Sequence, residues 1–459
     1  MRDSRSAAYA SAILLISYVF AFADRQVINI LLPSIKTDFD LTLVQVSVVQ
    51  GLAFSLFFSC AGIPLGLAAD RRNRRNLLAT GIALWSLATV CCGLSNSFWQ
   101  LFLARVFVGV GEACLVPASA SLLADAYPPQ SRGRAISCVT VGAPIGSLLG
   151  VAGGGWALAG FDATGVLAHL GLALKSWQAV FVVLGAPGLV VALLMTRIEE
   201  PPRREAAASP AQGQGSGLMA LLKESPLGFS SFAAFKVLMA ALAFMLLAWT
   251  PTLFMTTYGL SSGAAGTLIG MMLVVSSVSA YVVSGVASDA LVRVKPRCGR
   301  VVASGIVLPI GVIAVTGLYF AHDVATTATA LAFVLFVSTF ASAGGPPALQ
   351  AIVPNRLRGV ALASLTLFIN LLGVGAGPTL VALVAERFGG RESGLQWALT
   401  TVCLATMIAA AIIWPVLLTT YSRMRNYEAE ELAEERAETA PRPPAAAPAT
   451  APDATLTFG

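Results

Sequence analysis

Twelve long apolar stretches follow one another along the chain, at roughly 9–32, 44–68, 77–95, 98–124, 134–159, 177–196, 229–257, 264–288, 300–320, 325–352, 359–385 and 395–421. Short polar segments separate them. A helix of about 20 apolar residues crosses ~30 Å of hydrocarbon, and each stretch is close to that length or longer. The pattern predicts an all-α membrane protein with twelve transmembrane helices. The first stretch is too long for the apolar part of a cleavable leader and carries Asp24 in its outer half. It is expected to stay as the first span.

The polar segments divide the chain in two. Near its midpoint lies TRIEEPPRREAAASPAQGQGSG, rich in Pro, Gly, Ala and charge, which reads as a linker. The expected organisation is an N-terminal six-helix bundle over 1–197, a cytoplasmic linker over 198–226, a C-terminal six-helix bundle over 227–422 and a disordered tail over 423–459. The halves echo each other. Gly66 and Asp70 recur as Gly285 and Asp289 at an offset of 219, and Arg132-Gly133 recurs as Arg358-Gly359 at an offset of 226. Such echoes indicate a duplicated six-span unit of parallel topology, so the bundles should be pseudo-symmetric.

Charge fixes the expected orientation. With both termini in the cytoplasm, the inner segments hold 22 Lys and Arg and the outer loops hold 4. That bias is the positive-inside rule. The net charge of +6 therefore follows from topology and does not point to nucleic acid. The expected location is the cell (inner) membrane, as a multi-pass protein. The seven cysteines show no metal-type spacing, and His169 and His322 both fall in outer loops. No metal and no cofactor is expected. No phosphate-binding Gly-Lys loop and no Ser/His/Asp arrangement is visible, which argues against an enzyme or an ATP-driven pump.

Four ionisable residues interrupt otherwise apolar spans: Asp24, Arg25, Arg105 and Glu112. A charge at the centre of a spanning helix costs on the order of 3 kcal/mol on insertion scales, so such residues usually face a bundle interior or a polar pathway. Asp24 sits ~12 Å from the outer end of the first span and Arg105 ~10 Å from the outer end of the fourth. The two charges share a level. Two readings follow: a proton switch, in which protonating Asp24 frees Arg105 for an anionic cargo group, or a static ion pair holding two helices. Glu112 follows Arg105 by seven residues, on the same face and ~10 Å deeper. It is a second proton site, a group that orients Arg105 through water, or a polar packing partner. Arg25 points about 100° away from Asp24 and contacts either an anionic headgroup in the cavity or another helix. Lys236 either lines the inner cavity or snorkels to the cytoplasmic surface.

The loop GLAADRRNRRNLL resembles the signature loop of the major facilitator superfamily. FADRQVINILLPSIKTDF, FWQLFLARVFVGVGEA and LADAYPPQSRGRAIS are similar to its spinster branch. The superfamily likeness spans about 9–421, and the spinster likeness is concentrated in the first half. The resemblance implies a proton-driven transporter that alternates between inward- and outward-open states. Eukaryotic spinsters are linked to sphingosine phosphate and lysolipids, which does not fix the cargo of this chain. Asn73 stands where the superfamily loop usually carries Gly, and Asn tolerates a left-handed backbone better than most residues. The resemblance also supports a cytoplasmic gate built from Gly66, Asp70, Arg71, Arg74, Arg75, Asp289 and Arg358. In it, Asp70 would cap the N-terminus of the eleventh span near Arg358-Gly359 only when the inner side is closed. The alternative is that the arginines are simply positive-inside residues.

Glycine-rich VGAPIGSLLGVAGGG in the fifth span and LLGVGAGP in the eleventh would let the bundles approach closely, with Pro144 bending the former. Phe20, Phe22, Phe54, Phe57 and Phe58 either line a cavity suited to an amphipathic cargo or pack on helices and lipid. The function expected is proton-coupled secondary active transport of an amphipathic or anionic organic solute, lipid-like cargo included, by alternating access. The alternatives are transport of a hydrophilic organic acid and a transporter-derived membrane sensor. Expected partners are protons, that solute and membrane lipids, with no nucleic acid and a monomeric chain.

Overall fold

The computed structural model describes residues 2–169, 171–203, 214–387 and 392–427. Twelve spanning helices are present: Ser6–Phe39, Leu43–Arg71, Arg74–Gly93, Phe98–Ala126, Gln130–Thr164, Ser176–Met195, Pro226–Thr256, Ser262–Val294, Gly299–Phe320, Val324–Ala351, Arg358–Arg387 and Gly394–Arg423. The described residues contain no strand. The protein is an integral, multi-pass membrane protein, and all twelve apolar stretches correspond to spans. Part of the expected linker is itself helical, Gln214–Glu224, with Leu221 buried. The remaining linker residues 204–213 and the expected tail beyond 427 lie outside the described residues.

Proline and glycine set where the spans break. The fourth divides into Phe98–Glu112 and Leu115–Ala126, because Pro117 has no N–H to give the Ala113 carbonyl. The tenth divides at Gly344, ahead of Pro346 and Pro347. Both glycine-rich segments singled out above widen into π-helix, Leu149–Gly153 in the fifth span and Ile369–Ala376 in the eleventh. A third π segment, Val48–Leu52, lies in the second span.

Asn73 corrects one expectation. Its backbone is extended rather than left-handed (φ −66°, ψ 116°), and its side chain accepts a hydrogen bond from the Asn76 N–H. It is the N-cap of the third span, so the position uses the amide oxygen and not a tolerance of positive φ.

The two halves meet at the end opposite the termini. There Ser262 Oγ donates to the Gly155 carbonyl at 3.1 Å and Trp156 Nε1 donates to Thr267 Oγ1 at 2.8 Å, joining the fifth and eighth spans. The Val44 N–H donates to Glu386 at 3.0 Å, joining the second and eleventh. Backbones nearly touch: a Cβ on Gly51 would lie 2.5 Å from the Val374 carbonyl oxygen, and one on Gly155 2.4 Å from that of Ser262. At the end carrying the termini, positions 66, 133, 285 and 359 have nothing within 4 Å of a would-be Cβ, and Asp70 and Asp289 are exposed. The molecule is closed at one end and open at the other.

Candidate functional site

Asp24 and Arg105 come together as their levels require. Arg105 Nη1 lies 3.5 Å from Asp24 Oδ1, and both side chains are withdrawn from solvent. The other carboxylate oxygen shares a hydrogen bond with the hydroxyl of Thr89 on the third span. Arg105 Nε and Nη2 have no hydrogen-bond partner among the described residues.

The structure also pairs Arg25 with Glu112, at 2.5 Å. Of the alternatives for Arg25, it reaches another helix. Glu112 gives Oε2 to Arg25, and its Oε1 has no hydrogen-bond partner among the described residues. The first and fourth spans are thus joined by two ion pairs of opposite sense, acid to base and base to acid. Phe54 stands between them, its ring centroid 4.5 Å from the Arg25 guanidinium carbon and 5.6 Å from that of Arg105. Phe22 and Phe58 also pack on Arg25, at 4.9 and 5.1 Å. A guanidinium held over ring faces is favoured by the ring quadrupole, most of all away from water. Three of the five phenylalanines flagged above therefore surround the charged centre. Phe57 is exposed and Phe20 packs on the core instead.

A polar row continues from Arg25 toward the closed end. Asn29 Nδ2 donates to Gln26 Oε1 at 2.7 Å, and Gln50 Nε2 donates to Asn29 Oδ1 at 2.8 Å and to the Ala248 carbonyl at 3.0 Å. The last bond crosses from the N-terminal to the C-terminal bundle. A small pocket there is lined by Arg25, Gln26, Gln50 and Phe54 on one side and by Phe244, Leu247 and Val374 on the other. The charges come from the N-terminal bundle, and the C-terminal bundle contributes apolar surface.

Lys236 departs from both expectations. It neither lines a cavity nor reaches the surface: it is buried, with Nζ donating to the Ala341 carbonyl at 2.7 Å and to Ser304 Oγ at 3.4 Å. Ala341 lies in the last turn of Val324–Ala343, where carbonyls are left over at the break of the tenth span. The ammonium caps that break.

The loop after the second span also differs from a gate made wholly between the halves. Arg74 is fully buried within its own bundle. Its Nε meets Glu200 at 2.8 Å, Nη1 meets Asp125 and the Ser121 carbonyl, and Nη2 meets the Pro201 carbonyl. A planar guanidinium with donors on every edge suits two carboxylates and two carbonyls at once. Arg75 likewise turns to Glu200 and Ile198. Arg203 closes the exit of the second span by donating to the carbonyls of Ala69, Asp70 and Arg72. The Asp70 carboxylate makes no hydrogen bond or ion pair among the described residues, and Arg358 donates to the carbonyls of Gln350 and Val353. Arg71 and Asp289 are exposed and Gly66 is half-buried. At this open end, Asp70 and the eleventh span are not joined.

Thr89, Gln50, Asp125 and Glu200 were not among the residues expected at these sites. Asp125 and Glu200 carried a usable signal, since acidic residues at span ends oppose a basic loop. A lone Thr or Gln inside an apolar span carries little.

Residues 14–378 match the family model of the Major Facilitator Superfamily. An MFS-type efflux pump of Mycolicibacterium smegmatis is 27% identical over 418 residues, covering 89% of this chain and 92% of that protein. A hexuronate transporter of Bacillus subtilis is 25% identical over 419 residues, covering 88% and 94%. Protein spinster homolog 1 of Bos taurus is 32% identical over 203 residues, 44% of this chain and 36% of that protein. In three dimensions, a bacterial homolog of the human lysosomal transporter Spinster, inward-facing and unoccupied, superposes with a TM-score of 0.77 at 24% identity, covering 91% of this chain and 96% of that one. The chain is a transporter rather than an enzyme: it belongs to the major facilitator superfamily and is similar to its spinster-like members.

Proposed function

We propose that the protein is a proton-coupled secondary transporter that moves an amphipathic or anionic organic solute by alternating access. Asp24 carries the proton, and Arg105 divides its attention between Asp24 and an anionic group of the cargo. Glu112 and Arg25 hold the first and fourth spans in register around them. The termini face the cytoplasm of a cell (inner) membrane, and the open end is the inward-facing one.

One observation carries this reading. Arg105 is fully buried, yet it has a single contact with Asp24 at 3.5 Å and two donor nitrogens without partners among the described residues. A buried guanidinium so thinly satisfied is costly to leave as it is and is set to accept an incoming anion. Phe54 links Arg105 to the neighbouring Arg25, and the pocket beside Arg25, lined by Phe54 from one bundle and Phe244, Leu247 and Val374 from the other, favours a cargo with apolar surface beside its anionic group. The row Gln26, Asn29 and Gln50 supports a second reading, a hydrophilic organic acid, which the hexuronate transporter relative also suggests.

The test is uptake into liposomes under an imposed pH gradient, with lysolipids, organic anions, sugar acids and cationic drugs as separate probes. Gradient-driven movement of an anionic or amphipathic probe, abolished by a protonophore, is the expected result. Movement unaffected by the protonophore contradicts proton coupling, and failure to move any probe favours a sensor.

A further inference from the structure

Thr89 Oγ1 faces two oxygen atoms. One is Asp24 Oδ2, across the gap between the first and third spans, and the other is the carbonyl of Trp85, at 2.9 Å on its own helix. A threonine hydroxyl has one proton to give and lone pairs that accept. If Asp24 is ionised, both neighbours are acceptors, and the hydroxyl serves only one of them. If Asp24 is protonated, its O–H donates to Thr89 Oγ1 while the Thr89 proton goes to Trp85, so both contacts are filled.

Resting on the reading of Asp24 as the proton carrier, we propose that Thr89 is a positioning residue that registers the protonation of Asp24: its single hydroxyl proton points to the Trp85 carbonyl when the carboxyl is protonated and to Asp24 when it is ionised. The proton that Asp24 loses leaves toward the cavity. The Thr89 proton stays on Thr89 and only changes acceptor. The arrangement in hand, with both contacts formed and Arg105 at 3.5 Å, is the one that a protonated Asp24 satisfies.

The two forms of Asp24 depend on Thr89 unequally. An ionised Asp24 accepts from Thr89 as a charged group, and such bonds are roughly twice as strong as neutral ones. A protonated Asp24 has Thr89 as the acceptor for its O–H. The other titratable or charged groups around Asp24 are Arg25 on its own helix, Arg105 and Glu112 on the fourth span, and Cys92 one turn beyond Thr89. The fifth span backs against it with Gly146 and Gly150, which titrate nothing. Removing the Thr89 hydroxyl therefore disfavours the ionised arrangement more.

The experiment needs no cargo. Amide exchange of the closed-end segments 44–50 and 380–387 is followed against pH for the full chain in lipid nanodiscs, corrected for intrinsic exchange rate. The comparison includes the native protein, Thr89→Val, Thr89→Ser and Asp24→Asn. The native protein is expected to show a pH midpoint, and Asp24→Asn none. Thr89→Val should keep the transition with its midpoint on the order of one pH unit higher, the size of one lost bond to a charged group, and Thr89→Ser should restore it. A Thr89→Val curve that coincides with the native one, with Asp24→Asn still flat, overturns the role of Thr89 alone. An Asp24→Asn midpoint equal to the native one overturns the proton-carrier reading beneath it. Should Val at this position not give folded protein, Thr89→Ala is scored by the same criterion.

Discussion

Asp24 Oδ1 and Arg105 Nη1 face each other at 3.5 Å with neither side chain reaching solvent, whereas Arg25 and Glu112, joining the same two spans, meet at 2.5 Å. The two pairs are suited to different work. The closer one has Phe22, Phe54 and Phe58 packed on its base, and the proposed function gives it the holding of the helices. Both pairs keep unpartnered atoms among the described residues, but the looser one has two of them on a fully buried guanidinium and a hydroxyl on its acid, and the proposed function gives it the exchange of partners.

Breaking the close pair should harm stability first. Glu112→Ala leaves the half-buried Arg25 guanidinium without its counter-charge, at a cost on the order of 2 kcal/mol. The double variant Arg25→Met with Glu112→Met should recover most of that, because no lone charge remains. Thermal unfolding in detergent reads both. A single variant as stable as the native protein contradicts the clamp.

The closed end depends on the absence of side chains at Gly51 and Gly155. An added Cβ at Gly51 would collide with the backbone oxygen of Val374. Gly51→Ala should push the bundles apart there, lengthening the distance between spin labels placed at 172 and 322 in a background without reactive cysteines. An unchanged distance distribution means that the bundles are not held by this contact.

Lys236 should behave as a cap rather than a transport residue. Lys236→Met keeps most of the packing and loses the bond to Ala341, at a cost of about 1–3 kcal/mol. Lys236→Ala adds a cavity and should be worse. A Lys236→Met midpoint equal to the native one contradicts this assignment.

Arg74 tests whether the loop after the second span is built on geometry or on charge alone. Its Nε, Nη1 and Nη2 all have partners. Arg74→Lys keeps the charge but loses the fork, and should cost on the order of 2 kcal/mol or more in thermal unfolding. Native stability in Arg74→Lys refutes the geometric reading.

The spans and the meeting of Asp24 with Arg105 were legible because hydrocarbon thickness and helical rise fix depth, and depth matches partners across helices. The Arg25–Glu112 pair was not, since Arg25 follows Asp24 directly and its long side chain reaches along the fourth span to an acid two turns from Arg105. Lys236 was misplaced for a related reason: a lysine near a span end usually snorkels, but the break at Gly344, Pro346 and Pro347 leaves carbonyls that draw its ammonium inward. Asn73 read as a backbone device and proved to be a side-chain cap. Thr89 carries no signal along the chain, because its meaning comes only from the carboxyl that another span brings to it.

The central claim is that Asp24 couples cargo to protons, and separating exchange from accumulation tests it most directly. In liposomes, with a probe that the native protein moves, Asp24→Asn is compared with the native protein in equilibrium exchange without a gradient and in accumulation under a pH gradient. The account predicts that the variant still exchanges the probe but cannot concentrate it. Accumulation by Asp24→Asn to the native level would contradict the account.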